Sequence, residues 1–227
     1  MRALATEEAV PITVQRISDQ VILLRVGDKS PFGDIIVNNV VAVVTQRGLL
    51  LIDTGYYPQS AKNMRKHITE LFGRDVFAYV INTHWHWDHI NGNQAFSDVP
   101  IIGHENIIPA IQIFEQGIKF FIKQRQSRVS VWKHILQQAE PGSEQALRAR
   151  GWIYAHERFL TEYQRGYSVV YPSITFSDRL ILDMGDLTVN LAYFPSLHTD
   201  NDIIIHIPEE KLLVVGDLFQ YDHLPSI

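Results

Sequence analysis

The chain of 227 residues contains no cysteine. Disulfide bonds and thiolate ligands are therefore excluded, and any metal ion must be held by His, Asp or Glu side chains. No apolar stretch approaches the roughly 20 residues that a membrane-spanning helix needs, and residues 1–8 lack the hydrophobic core of a signal peptide. These absences predict a cytoplasmic protein that does not associate with membranes, or a periplasmic or secreted one whose signal peptide has been removed.

Positive charge is also scarce. The chain has 20 Lys and Arg residues against 25 Asp and Glu, a net charge of -5, and no run of basic residues stands out. A nucleic-acid-binding surface needs a basic patch, so we predict no nucleic-acid partner and expect a small-molecule substrate instead. The composition, 46% hydrophobic and 20% charged, is typical of a globular chain, and we predict one domain over residues 1–227.

Histidine is concentrated where cysteine is missing. Four candidate metal ligands fall within six residues, directly after the apolar run 76–81: His84, His86, Asp88 and His89. In extended backbone, residues i and i+2 share one face, so His84 and His86 can bind the same cation from a strand end. Neutral imidazoles and carboxylates suit Zn, Fe, Mn, Ni or Co better than Ca or Mg. The spacing therefore predicts a metal-binding loop.

One of the two remaining ligands in this loop needs a change of chain direction. Asp88 continues the extended face of His84 and His86, whereas His89 points to the other side unless the chain turns. The segment 91–93, Asn-Gly-Asn, permits such a turn, because Gly and Asn tolerate a positive φ.

The elements before and after this loop predict a layered α/β domain. Runs of β-branched and aliphatic residues predict strands over 12–17, 20–26, 35–44, 49–52, 76–83 and 99–104. Helical spacing of Ala61, Met64, Ile68 and Leu71 predicts a helix over residues 58–72, with Pro near its start and Gly73 past its end. Asp53, at the end of strand 49–52, has two interpretations: a turn residue, or a carboxylate that holds the ligand-bearing loop by hydrogen bonds.

Residues 105–166 differ from the rest of the chain. Their apolar spacing predicts two or three helices, broken at Pro141-Gly142, inserted between strands. Two interpretations stay open: a helical layer on the sheet, or a lid whose aromatic side chains wall a substrate pocket or form a subunit contact. These aromatic residues are Phe114, Phe120, Phe121, Trp132, Trp152, Tyr154, Tyr163 and Tyr167.

Strands resume after the helices. We predict them over 174–176, 179–182, 187–193, 203–207 and 211–217, with a hairpin turn at 184–186 and a polar loop at 194–202 that contains His198.

Four motifs in this order resemble the metallo-β-lactamase-fold superfamily of metal-dependent hydrolases. They are Ile52-Asp53-Thr54-Gly55, His84-x-His86-x-Asp88-His89, His198-Thr199 and Gly216-Asp217. The resemblance implies a four-layer αβ/βα sandwich with the metal site along one edge of two facing sheets. By this resemblance His84, His86 and His198 hold a first metal, Asp88 and His89 belong to a second, Asp217 bridges both, and Asp53 supports the ligands from behind.

The chain departs from the family pattern near its end. Family members carry one more His well after the Gly-Asp motif, but this sequence stops ten residues beyond Asp217, and His223 lies too near to be expected as that ligand. Either the chain is a shortened form, or its second metal site is incomplete and the last sheet edge is uncovered. Such an edge favours pairing into a homo-oligomer.

The other histidines are predicted to be structural or superficial: His67, His134, His156 and His206. His104 ends a strand that runs beside the metal loop, and both a structural and a pocket role stay open for it.

The resemblance and the ligand set together predict a hydrolase with one or two zinc ions, Fe or Mn being alternatives. A metal-bound hydroxide would attack a small ester, lactone, thioester or β-lactam, with Asp88 as the catalytic residue that orients it. Two other functions remain open: an iron-dependent redox member of the superfamily, and an inactive, incomplete homologue.

Overall fold

The computed structural model describes residues 12–27 and 37–219. The first of its two sheets contains β1 (Ile12–Arg16), β2 (Val21–Val26), β3 (Asn38–Thr45), β4 (Gly48–Ile52), β5 (Phe77–Ile81), β6 (Ile101–His104) and β7 (Ile174–Phe176). The second sheet contains β8 (Arg179–Asp183), β9 (Thr188–Tyr193), β10 (Ile203–Ile207) and β11 (Leu212–Val214). The helices are α1 (Pro58–Phe72), α2 (Trp87–Ile90), α3 (Ile107–Gln138) and α4 (Glu144–Gln164).

The first sheet changes from antiparallel to parallel at its middle. Strands β1 to β4 pair antiparallel in sequence order, whereas β4, β5, β6 and β7 pair parallel. Parallel strands end at the same edge of a sheet, so Asp53 after β4 and Thr83 after β5 lie side by side there. The second sheet is antiparallel throughout, in the order β11-β10-β9-β8. This arrangement places the predicted metal loop at one edge of the first sheet.

Strand β4 is buried on both faces, as its continuous aliphatic run predicts. Leu49 and Leu51 pack against helix α1, while Leu50 and Ile52 belong to the cluster between the two sheets. The predicted α/β class is confirmed by two sheets with helices packed on the first of them. Within the described ranges no helix contributes to the cluster between the sheets, so these residues supply one helical layer and both sheets of the predicted sandwich.

Helix α1 has the bounds that the sequence predicts. Pro58 occupies its first turn, and Gly73 ends it with φ 62°. Ala61, Met64 and Ile68 are buried as expected, but Leu71 is exposed. Leu71 lies about 80° around the helix from Ala61, at the margin of the apolar stripe and in the last turn, where it no longer faces the sheet.

The insertion forms two long helices that pack on each other, α3 and α4. The chain between them contains Pro141-Gly142, and Ser143 caps α4 by accepting a hydrogen bond from the Ala146 N–H at 3.2 Å. Phe121 and Phe159 pack on the helix-facing cluster of the first sheet, as the layer interpretation expects, while Trp152 lines a cavity beside the metal loop, as the lid interpretation expects. Phe120, by contrast, is 70% exposed.

The remaining predicted strands occur with small changes of bounds. Strand β11 is shorter than predicted, because the chain turns at Gly216, which has φ 56°, and residues Gly216–Leu218 form a 3-10 turn. The predicted third strand begins at Asn38, and its residues 35–36, like His223, lie outside the described residues. None of the helices in the described ranges combines the length and apolar character needed to cross a membrane.

Candidate metal centre

The metal loop turns earlier than the sequence predicts. Asp88 does not continue the extended face of His84 and His86, because helix α2 begins at Trp87. The His86 carbonyl accepts hydrogen bonds from the N–H groups of His89 at 2.9 Å and Ile90 at 3.2 Å. One short helical turn therefore brings both Asp88 and His89 toward the site.

Four of the predicted ligands meet at one point. His84, His86, His198 and Asp217 each present a ligand atom, and these atoms lie within 4.8 Å of one another. His86 Nδ1 is 2.9 Å from His198 Nε2, which in turn lies 3.6 Å from an Asp217 carboxylate oxygen. Three imidazoles and one carboxylate, drawn from both sheets, form a donor set that suits a transition metal.

Hydrogen bonds fix which nitrogen of His84 is available to a metal. Thr83 Oγ1 donates to Asp53 Oδ2 at 2.8 Å and therefore accepts from His84 Nδ1–H at 3.0 Å. His84 Nε2 then carries no hydrogen, and it is buried without a hydrogen-bond partner among the described residues. Burial, reinforced by His89, His86 and His198, holds the pKa of His84 well below its ordinary value. A buried, neutral imidazole with an unpartnered nitrogen fits a metal ligand.

A second group of donors lies beside the first. His89 Nε2 is 3.3 Å from Asp217 Oδ1 and 3.7 Å from Asp88 Oδ2. Asp217 thus faces His198 with one carboxylate oxygen and His89 with the other, as a bridging ligand would.

The charges of this second group offset one another. Burial lowers the pKa of His89, but Asp53, Asp217 and Asp88 outweigh it and raise that pKa well above its ordinary value. Burial acts to raise the pKa of Asp217, yet the hydrogen bond with His89 and the neighbouring histidines hold it below the ordinary value. A cation bound at His89 Nε2 would take the place of that proton.

Asp53 connects the two groups of metal donors through hydrogen bonds. Its Oδ1 accepts from the Thr83 N–H at 2.8 Å, and its Oδ2 accepts from Thr83 Oγ1 and from His89 Nδ1, both at 2.8 Å. The residue is 4% exposed and has φ 62°. Of the two interpretations of Asp53, the geometry supports the carboxylate that holds the ligand-bearing loop.

Sequence reasoning missed the residues that lock the His198 loop. Asp202 accepts from the His198 N–H at 2.8 Å and from the Thr199 N–H at 2.7 Å. Asn201 Oδ1 accepts from the Trp85 N–H at 2.9 Å and so ties this loop to the metal loop of the other sheet. The polar run 199–202 was a local signal for Asp202. The contact of Asn201 with Trp85 had none, because it crosses 116 positions.

His104 has a structural role. Its Nδ1 accepts from the Asn106 N–H at 3.2 Å, so Nε2–H donates to the Ser177 carbonyl at 2.9 Å. The ring stacks on Tyr193 with centroids 3.7 Å apart. Both nitrogens are thus engaged away from the metal cluster. His67, His134, His156 and His206 also lie outside this cluster.

Two cavities open beside the donors. The larger, about 580 Å³, is lined by Asp53, His89 and Asp217 together with apolar residues of β2, β3 and β11. The smaller, about 410 Å³, lies toward the helical insertion and is lined by Val37, Asn38, Tyr56, Trp87, Asp88, Arg125, Arg128 and Trp152. Asn38 and Asp88 line both cavities, and Asn38 Nδ2 donates to Asp88 Oδ2 at 3.4 Å.

One curated protein is similar to this chain in sequence, and solved structures are similar to it in fold. A linear primary-alkylsulfatase from Pseudomonas sp. (strain ATCC 19151) is 23% identical over 188 residues, which are 79% of this chain and 33% of that protein. The chain thus spans a third of the length of the curated relative that it matches. A metallo-beta-lactamase from Pontibacter korlensis superposes with a TM-score of 0.55 at 17% identity, covering 89% of this chain and 70% of that one. The inverting sec-alkylsulfatase Pisa1 from Pseudomonas sp. superposes with a TM-score of 0.58 at 14% identity, covering 87% of this chain and 30% of that one.

A family model matches most of the chain. The family described as the metallo-beta-lactamase superfamily matches residues 33–227, a range that contains all of the candidate ligands. The resemblance read from the four motifs is thereby confirmed, and the chain belongs to the metallo-β-lactamase superfamily.

Proposed function

We propose that the chain is a metal-dependent hydrolase of a small molecule: an ester, lactone, thioester or β-lactam. One observation carries this proposal. His84 Nε2 is buried without a hydrogen-bond partner among the described residues, close to His86 Nδ1, His198 Nε2 and Asp217, and these four side chains would hold a divalent cation.

A metal ion held by three neutral imidazoles supplies an electrophile and lowers the pKa of its water from about 15.7 toward about 7. The chain supplies the rest. Asp88, 3.7 Å from His89 Nε2, is placed to orient a nucleophilic water and to receive its proton. Asn38 holds the Asp88 carboxylate from the cavity side. The buried network of Asp53, Thr83 and His89 keeps the ligands in place during the reaction.

We propose zinc as the metal, with one or two ions per chain. Imidazole and carboxylate donors also accept Fe and Mn, and an iron centre would favour the redox alternative. In the described ranges the second group offers three side chains, Asp88, His89 and Asp217, and so leaves positions open for water or substrate.

Sulfate esters are a second candidate substrate class. Two of the relatives are named as alkylsulfatases. The cavity beside Asp88 also carries two arginines, Arg125 and Arg128, which suit an anionic substrate.

Metal content and a substrate panel test the proposal together. The purified full chain should bind about one to two equivalents of zinc, measured by elemental analysis after dialysis, and should hydrolyse at least one of a p-nitrophenyl ester, a lactone, a thioester, a β-lactam and an alkyl sulfate. His86→Ala should lose most of both properties, whereas His134→Ala, on the exposed side of α3, is the matched control. A chain that binds none of added Zn, Fe or Mn would overturn the hydrolase assignment.

A further inference from the structure

The helical insertion places two cations beside the metal centre. Arg125 and Arg128 lie on α3 and line the 410 Å³ cavity that also contains Asp88. Because Asp88 and Asn38 line the larger cavity as well, the two spaces meet at these side chains. A molecule whose reacting bond lies near Asp88 therefore extends, in this direction, toward the two guanidinium groups.

Aromatic rings hold the guanidinium of Arg125 in position. Its central carbon lies 4.3 Å from the ring centroid of Trp87 and 4.3 Å from that of Phe121. Trp87 begins the short helix that carries Asp88, so the arginine is anchored to the same element as the candidate catalytic carboxylate. On the side of α4, Arg125 donates toward His156 Nδ1 at 3.5 Å. Such contacts fix the plane of the guanidinium, which lowers the entropy cost of binding a ligand.

Among the described residues that line this cavity, Asp88 is the one carboxylate beside the two arginines. Among the described residues neither Arg125 nor Arg128 forms an ion pair with a carboxylate, and Arg125 Nε is buried without a hydrogen-bond partner. Burial lowers the pKa of Arg125, and the charge of Arg128 acts in the same direction. Arg158 on α4 shows the contrasting arrangement, since its buried guanidinium lies 3.0 Å from Glu162. Two cations that line one cavity without forming an ion pair with a described carboxylate, one of them half-buried, favour an anionic ligand.

We propose that Arg125 and Arg128 bind an anionic oxygen group of the substrate, a sulfate or a carboxylate, and so select acidic substrates. The part of this inference that concerns substrate choice rests on the proposed hydrolase function. A guanidinium presents paired N–H donors that match the two oxygens of either group, and Arg125 contributes the oriented fork while Arg128 adds charge at the cavity mouth. His156 and Trp87 act as positioning residues for Arg125.

A matched pair of esters tests the selectivity. One p-nitrophenyl ester carries a terminal carboxylate, as in mono-p-nitrophenyl glutarate, and the other is a neutral acyl ester of similar length. The ratio of kcat/KM for the acidic ester to that for the neutral ester should fall about 10-fold in Arg125→Gln and in Arg128→Gln, because each removes a charge-assisted hydrogen bond or a nearby charge. Arg148→Gln, an exposed arginine of α4, should leave the ratio at the wild-type value. An unchanged ratio in both cavity variants would overturn the proposal.

A binding measurement separates this inference from the hydrolase assignment. Inorganic sulfate should bind the metal-free full chain in calorimetry at constant ionic strength, and Arg125→Gln/Arg128→Gln should weaken that binding at least about 10-fold. If the chain binds sulfate but takes up none of added Zn, Fe or Mn and hydrolyses no substrate of the panel, the anion site is retained and only the hydrolase function is refuted. Activity without sulfate binding, or equal binding by the double variant, would refute the anion site alone. Circular dichroism of the variants confirms that each remains folded.

Discussion

Asp53 Oδ2 accepts a hydrogen bond from Nδ1 of His89 at 2.8 Å, and both side chains are buried. The same carboxylate accepts from the backbone N–H and the hydroxyl of Thr83, which in turn accepts from His84. One acidic side chain thus fixes the ring orientation of a ligand in each of the two donor groups.

Replacing Asp53 should therefore weaken metal binding without removing a ligand. We expect Asp53→Ala to lower zinc affinity about 10- to 100-fold, the usual cost of losing a hydrogen-bond partner behind a metal-binding His. Competition with a chromophoric chelator measures the affinity. Asp19→Ala, a carboxylate on the surface, is the matched control and should bind zinc as the wild type does. Equal affinity in Asp53→Ala would show that the ligands are oriented by other contacts.

Metal should stabilise the folded chain, because the donors are brought together only in the native state. At a free zinc concentration of 100 times Kd, the expected gain is about 2.7 kcal/mol in the free energy of unfolding. Thermal unfolding before and after dialysis against a chelator measures this gain as a rise in Tm on adding zinc back. The rise should be absent in His86→Ala, and a rise of the same size in that variant would place the bound metal elsewhere.

Gly92 should not tolerate a side chain. A Cβ at this position would lie 2.1 Å from the Thr54 carbonyl oxygen and 2.6 Å from Ala61 Cβ, where α1 packs behind the metal loop. Gly92→Ala should lower the free energy of unfolding by about 3 kcal/mol or more, as overpacking does, in urea titrations. Gly117→Ala is the matched control, because a Cβ there meets nothing within 4 Å and a helical Ala stabilises by up to about 1 kcal/mol. Equal stability of the two variants would contradict the tight packing.

His156 should make the chain less stable in mild acid. Burial, together with Arg125 and Arg128, lowers its pKa to about 4 from the ordinary 6.5. The unfolded state then binds a proton between these values and the folded state does not, so stability is lost as the pH falls from about 6.5 toward about 4.

Urea titrations at pH 7.5 and pH 5 test this linkage. Wild type should lose about 2 kcal/mol more than His156→Gln between the two conditions. His134→Gln controls for loss of an exposed histidine on α3 and should follow the wild type. An identical pH dependence in His156→Gln would contradict the lowered pKa.

The parts of this molecule that sequence reasoning predicts are those with local signals. Helix α1 is bounded by Pro58 and Gly73, and its bounds follow from them. That His84 and His86 share one site was predicted from the two-residue period of extended backbone, and the structure brings them together although residues 83–85 form a bend after β5. Helix α2, only four residues long, is too short to show a helical period, so the turn that aims Asp88 and His89 was placed too late in the chain.

Other features depend on contacts that no local pattern reveals. Arg125 was not singled out, because its cavity forms only when α3, the metal loop and residues 37–38 come together. The hydrogen bond from the Trp85 N–H to Asn201 joins loops of different sheets, and neither residue carries a motif for it. Tertiary packing creates both features.

The hydrogen bonds between these loops also bear on how the chain folds. The Ile203 N–H donates to the Thr83 carbonyl at 2.9 Å, next to the contact of Trp85 with Asn201. A chain in which only the first sheet had formed would offer His84, His86, Asp88 and His89, without His198 or Asp217. Tight binding of a metal ion therefore reports complete folding, since it distinguishes molecules whose two sheets have docked from partly folded molecules in which they have not.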